Sequence, residues 1–188
     1  MGEAKRRRAH AESEARELLR LEVEKWDRPA SQWEADLVAD VEGLPRVTVH
    51  RATDAQIALM KMEPKECHVN VGSYVDMDPT GDTRMVTGWW KLGDRYLHHS
   101  VVGRADGVFF CITPMMSDFR GDMEFIPDDK IEWREVGDAR HGYRNGREIG
   151  PGLRADPERA RRVNAVVREA LAAGKPVDEI MNLPGMTL

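Results

Sequence analysis

Cysteine is scarce in this chain, with two in 188 residues. That is too few for a disulfide scaffold, and a single Cys67–Cys111 bridge is the most that an oxidising environment allows. Aromatic residues make up only 6%. No apolar run approaches the roughly eighteen residues that would cross a bilayer, so no membrane partner is expected. Positive charge is not in excess: 28 Lys and Arg stand against 33 Asp and Glu, a net charge of −5. That balance argues against a protein held on nucleic acid by bulk charge. Internal repeats are absent. The basic cluster Lys5-Arg6-Arg7-Arg8 leads into Ala9-His10-Ala11-Glu12-Ser13-Glu14. No apolar core follows the charge, so no secretory signal is expected and the cytoplasm is the expected location.

What is present suits a core of ordinary size, with 41% hydrophobic and 32% charged residues. The chain reads as a flexible basic tail over 1–8 and a single α+β domain over 9–188, with its core in 45–136. Residues 9–26 are helical by composition, and Leu18, Leu19, Leu21, Val23 and Trp26 make a partial apolar stripe. Ser31 and Glu34 have capping-box spacing ahead of Leu37, Val38 and Val41, which predicts a second helix over 31–41. A short strand follows at Val47–Val49, then a helix from Thr53 or Asp54 to Met62. Residues 66–77 fit a strand by propensity, but apolar positions 67, 71, 74 and 75 also share one helical face. Strands are expected at 84–92, 96–102, 108–113, 123–126 and 131–136, hairpin-like in spacing, so the sheet is expected to be antiparallel. Residues 137–155 are rich in Gly and Arg and show no periodicity. Asp156 and Pro157 open a helix expected over 157–173, closed by Gly174.

The soft, titratable side chains gather in the middle of the chain. Cys67 and His68 are followed by His98, His99 and Cys111. Thiol and imidazole together make either a nucleophile with its base or a metal site. A helix opening at Cys67 would favour its thiolate through unpaired backbone N–H groups. His99 is then the candidate base, and Asn70 lies one helical turn on. The spacings do not match a compact zinc site, and His98 and His99 point to opposite faces of a strand. No metal and no cofactor are therefore expected. His68 reads as a local hydrogen-bonding side chain. The turn at Ala105-Asp106-Gly107 leaves two registers open. A three-residue loop places His99, Cys111 and Thr113 on one face, whereas a two-residue Asp-Gly turn puts Cys111 on the face of His98.

The motifs Glu66-Cys67-His68-x-Asn70, Gly88-Trp89-Trp90, His99-Ser100-Val101, Asp106-Gly107, Ile112-Thr113-Pro114 and Phe125-Ile126-Pro127 resemble those of a group of bacterial and phage-associated proteins. Their pattern runs Cys-His-x-Asn, Gly-Trp, His-Ser/Ala-Val, Asp-Gly, Asp-Ile-Thr-Pro. Its order is similar to that of transglutaminase-like and papain-like cysteine hydrolases. The resemblance covers residues 65–128 and implies Cys67 as nucleophile and His99 as base. This chain departs from the pattern at the third group, where Cys111 stands in place of the acid before Ile-Thr-Pro. A thiol does not orient an imidazolium as a carboxylate does. Asn70, Asp106, Asp118 or Asp122 would have to compensate, with Glu66 beside the nucleophile.

Two functions follow as expectations. One is a thiol-dependent hydrolase or acyltransferase on an amide or peptide-like substrate, with local backbone amides holding the oxyanion. The other is a non-catalytic binding or phage-related structural protein that keeps the scaffold. Trp89 and Trp90 are expected to put one ring in the core and one at a substrate groove, with Met115 and Met116 beside a pocket. The partner is a small molecule or peptide. Nucleic acid enters only through Arg140, Arg144, Arg147 and Arg154.

Overall fold

The fold is that of a computed structural model, which describes residues 2–114, 121–137 and 139–183. The chain divides into two compact units, Met1–Ala35 with Arg154–Leu188 and Asp36–Leu153, where the sequence leads to the expectation of one domain.

The first unit is helical. Its elements are α1 (Gly2–Trp26), α5 (Pro157–Ala172) and α6 (Val177–Met181). The first helix begins at Gly2 and takes in the basic residues read as a tail. Val23, Val167, Ala170 and Ile180 form the core, with Leu19, Val163 and Leu171 beside them. Leu18 and Leu21, counted in the expected stripe, are exposed. As predicted, Asp156 caps α5 by accepting from the Arg159 amide at 2.8 Å. Arg16 reaches from α1 to the end of α5, donating to Leu171 O at 2.6 Å. The Gly174 amide donates to the same carbonyl at 3.0 Å, so Arg16 adds a second donor where α5 ends.

Arg154 and Glu34 are both buried in this unit. Arg154 Nη2 donates to Glu34 Oε2 at 2.6 Å and Nε to Oε1 at 3.1 Å. Its Nη1 donates to the carbonyls of Trp26 and Arg28, and Nη2 also to that of Pro29. Ser31 accepts from the Glu34 amide at 3.2 Å at the start of α2 (Gln32–Glu42). The Glu34 carboxylate does not close the expected box, because Arg154 and Arg28 occupy it.

The second unit is built on a closed barrel. Its strands are β1 (Val47–Arg51), β2 (Thr83–Leu92), β3 (Arg95–Arg104), β4 (Phe109–Cys111) and β5 (Met123–Pro127). They run in the order β2-β5-β1-β4-β3, and β2 pairs with β3 to close the ring. An antiparallel sheet was expected, but β1 and β4 pair in parallel. The strands carry alternating apolar residues, and the inward set fills the ring: Val49, Val86, Trp90, Val101, Cys111, Met123 and Phe125.

Two further helices, α3 (Asp54–Met60) and α4 (Cys67–Asp76), belong to this unit. On the outer face of the barrel, Val71 of α4 packs with Val102 and Ile112. A second sheet consists of β6 (Ile131–Val136), β7 (Ala139–Arg144) and β8 (Arg147–Glu148). β6 was expected, whereas β7, β8 and β9 (Gly152–Arg154) occupy the stretch that showed no periodicity. The missed signal is Asn145-Gly146, with φ of 53° and 76°, a dipeptide suited to a two-residue hairpin.

Candidate functional site

Cys67 is delivered by a strained entry. Pro64 interrupts the chain after α3, and Lys65 adopts a left-handed conformation with φ 67°. Asn70 braces this turn. Its side chain accepts from the Glu63 amide at 3.1 Å and donates to the Glu63 carbonyl at 2.8 Å. Cys67 then opens α4 as its first residue, preceded by Glu66, whose side chain makes no capping hydrogen bond. The ambiguous segment is therefore helix, the geometry that places backbone N–H groups at the sulfur. The nearby backbone N–H groups of Ser100, His68 and Cys67 itself favour the thiolate. Burial outweighs them and pushes the thiol up to about 11. Thiolate is therefore rare at neutral pH.

His99 is resolved by the hairpin. The Arg104 amide donates to Val108 O at 2.9 Å, and Val102 pairs with Phe110. This is the three-residue register, and it puts His99 and Cys111 on the inner face of the barrel. His99 Nε2 meets Cys111 Sγ at 3.2 Å. Its ring lies among Trp90 and Phe125, with centroids 5.9 and 6.5 Å away. Burial, followed by the charge of His68, pushes the imidazole down to about 3. The Cys111 thiol is pushed up by burial. Among the described residues, no hydrogen bond joins Cys67 to His99, and both cysteines are free thiols. The third group is thus a neutral thiol against a neutral imidazole.

The remaining candidates take other work. Asn70 donates to Thr113 Oγ1 at 3.4 Å and does not meet His99. Asp106 caps the hairpin, accepting from the Val108 amide at 3.1 Å and pairing with Arg104. Asp122 pairs with His50 at 3.0 Å. Asp118, Met115 and Met116 lie outside the described residues. Neither tryptophan lines a groove as expected. Trp90 sits in the barrel core, and Trp89, fully buried, donates from Nε1 to Asp128 at 2.9 Å. Adjacent strand residues face opposite sides, but both sides of β2 are covered here.

Sequence reasoning missed the polar chain on the outer face of β3. His68 Nδ1 meets Ser100 Oγ at 2.5 Å, and Ser100 Oγ meets Thr87 Oγ1 at 3.2 Å. The His68 ring lies on Trp133, with centroids 3.6 Å apart. Arg144 and Arg154, two of the arginines considered for an anionic partner, are buried in ion pairs. Arg144 binds Asp128 at 2.7 Å and Asp40 at 3.1 Å, and Arg154 binds Glu34. Among the described residues, no group of three or more His, Cys, Asp or Glu is placed to hold a metal ion, and no helix is long and apolar enough to cross a membrane.

Compared with known proteins, no family model matches the chain, nor does any curated protein or solved structure.

Proposed function

We propose that this chain is a non-catalytic binding protein that keeps the layout of a thiol acyl-transfer enzyme. The layout is a cysteine at a helix start, a histidine on a strand and a third group on the neighbouring strand, in the order of the transglutaminase-like and papain-like enzymes. The observation that carries the reading is the bond from His99 to Cys111. An acyl-transfer base must accept a proton and become imidazolium, and a carboxylate normally stabilises that cation. A buried thiol offers no such charge, and the surrounding apolar rings disfavour the cation further.

One observation favours the second reading, a hydrolase or acyltransferase on an amide or peptide-like substrate. Cys67 opens α4, and nearby backbone N–H groups of His68, of Cys67 itself and of Ser100 on β3 favour its thiolate, a setting that serves a nucleophile and an oxyanion. In that case Cys67 attacks, and His99 takes up and returns the proton.

The rate of Cys67 alkylation by iodoacetamide separates the two. Only thiolate reacts, so the binding reading predicts a rate that climbs about tenfold per pH unit from pH 7 to 9. A plateau below pH 7 that vanishes in His99→Gln would establish the catalytic reading instead.

A further inference from the structure

An open groove of about 860 Å³ lies within the unit Asp36–Leu153. Arg51, Leu59, Met60, Tyr74, Met77 and Phe110 line it, and Cys67 does not. We infer that this groove binds an amphiphile consisting of an unbranched alkyl chain with one carboxylate. The inference rests on the reading of the chain as a binding protein and supplies its ligand.

The head group is argued from Arg51. Its side chain is only 9% exposed, and Nη2 pairs with Asp54 at 2.7 Å. Nη1 has only a long contact, 3.5 Å, to the Ala52 carbonyl. Nε is buried and has no hydrogen-bond partner among the described residues. A guanidinium so incompletely paired gains from a further acceptor, and Nη1, with only that long contact, is the donor left for an oxygen brought by a ligand. The lining also includes Asp78 and Asp82. Hydrogen bonds from Thr80 and Thr83 hold the Asp78 carboxyl well below its ordinary range, so it is ionised. A doubly charged phosphate monoester would meet that charge and the charge of Asp54. A carboxylate brings a single charge and a planar acceptor.

The chain is argued from the walls. Met60 and Met77 are flexible thioethers that adapt to an irregular apolar body. Leu59 and Met77 are 83% and 69% exposed, so an occupant removes large apolar groups from water. These side chains offer no hydrogen-bonding groups. Along these three side chains an extended peptide would strand amides that an alkyl chain does not bring; Gln56, Tyr74, Thr80, Thr83 and Arg104 line other parts of the groove. The volume falls within the range of small-molecule sites, roughly 300–1,000 Å³.

The test is calorimetric titration of the full chain with sodium dodecanoate and, separately, with dodecyltrimethylammonium, each below its micelle concentration. Dodecanoate is expected to bind, and the ammonium amphiphile to bind weaker by about tenfold or more. Arg51→Gln should weaken dodecanoate by a similar factor, as should Met77→Asp, which lies on the exposed rim and leaves the core intact. Thermal melts establish that each variant folds. Should Arg51→Gln fail to fold, the head-group comparison and Met77→Asp decide the matter. Equal affinity for the two head groups, no heat with dodecanoate, or a folded Arg51→Gln that binds unchanged overturns the inference. Because Cys67 lies outside the groove, its alkylation profile and dodecanoate binding fail independently.

Discussion

Replacing Arg154 with alanine should lower stability by about 3–5 kcal/mol, the usual result of removing one partner of a buried ion pair. Glu34 would keep its charge in a site it shares with little solvent, since its side chain is 2% exposed. The carbonyls of Trp26, Arg28 and Pro29 would lose a donor at the same time. At roughly 2–4 °C per kcal/mol for a chain of this size, the melting temperature falls by about 6–20 °C. The double variant Arg154→Met with Glu34→Leu should recover part of the loss, because no charge is then stranded, although the carbonyls of Trp26, Arg28 and Pro29 still lose the guanidinium as a donor. A thermal melt of the single and double variants checks both statements. Burial raises the Glu34 carboxyl, but Arg154 and Arg28 outweigh it, and the net shift is downward. A carboxyl depressed in the folded state stabilises above its unfolded value of about 4.3 and loses that contribution as pH falls through its folded value. The wild-type chain should therefore lose this contribution in acid, whereas the double variant has none to lose.

The second large effect is expected at Gly88. It pairs with His99 of β3 on one side, across the pairing that closes the barrel, and with Pro127 of β5 on the other. A Cβ there would lie 2.2 Å from the Ile126 carbonyl oxygen and 2.8 Å from the Phe125 ring. The nearer obstacle is backbone, which cannot rotate away, so Gly88→Ala has to spread the strands or break the closure. The expected loss exceeds about 3 kcal/mol, at the extreme of single substitutions. Gly72→Ala in α4 is the matched control. Nothing lies within 4 Å of its Cβ, and a helical alanine should stabilise by up to about 1 kcal/mol. Denaturant unfolding of the two variants should move in opposite directions.

These residues show where the sequence was readable. Asp156 and Pro157 predict the start of α5, because capping is local chemistry. The spacing of Cys67, Val71, Tyr74 and Val75 already contained α4, although β-branched residues left a strand equally open. The turn at Ala105-Asp106-Gly107 admitted two registers, and the Arg104–Val108 bond of the longer loop is the one formed. That bond puts His99 beside Cys111. The closure of the barrel was not readable. Alternation marks the inward face of a strand but not its neighbour, so the parallel pairing of β1 with β4 has no local signal. Arg144 and Arg154 read as candidates for an anionic partner because their acidic partners, Asp128 and Glu34, lie 16 and 120 residues away. The same distance effect left Ser31 and Glu34 as half a capping box. Trp89 and Trp90 alternate as expected, but the cover on both faces of β2 comes from segments far along the chain.

The cluster of Cys67, His99 and Cys111 is held to be electrically neutral, and the charge state of His99 is its most direct test. The measurement is an NMR pH titration of the His99 ring nitrogens in the folded protein. An imidazole pushed down to about 3 stays neutral from pH 8 to below pH 5. Because its unfolded value is about 6.5, the unfolded chain takes up the proton first. The corresponding stability is then full above about pH 6.5 and drains away as pH falls toward the folded value, by about 1.4 kcal/mol per pH unit. The His99 nitrogen shifts should stay flat across pH 8 to 5, with a neutral tautomer throughout. A His99 that titrates between pH 6 and 7 would contradict that neutrality and return the pair to the catalytic reading.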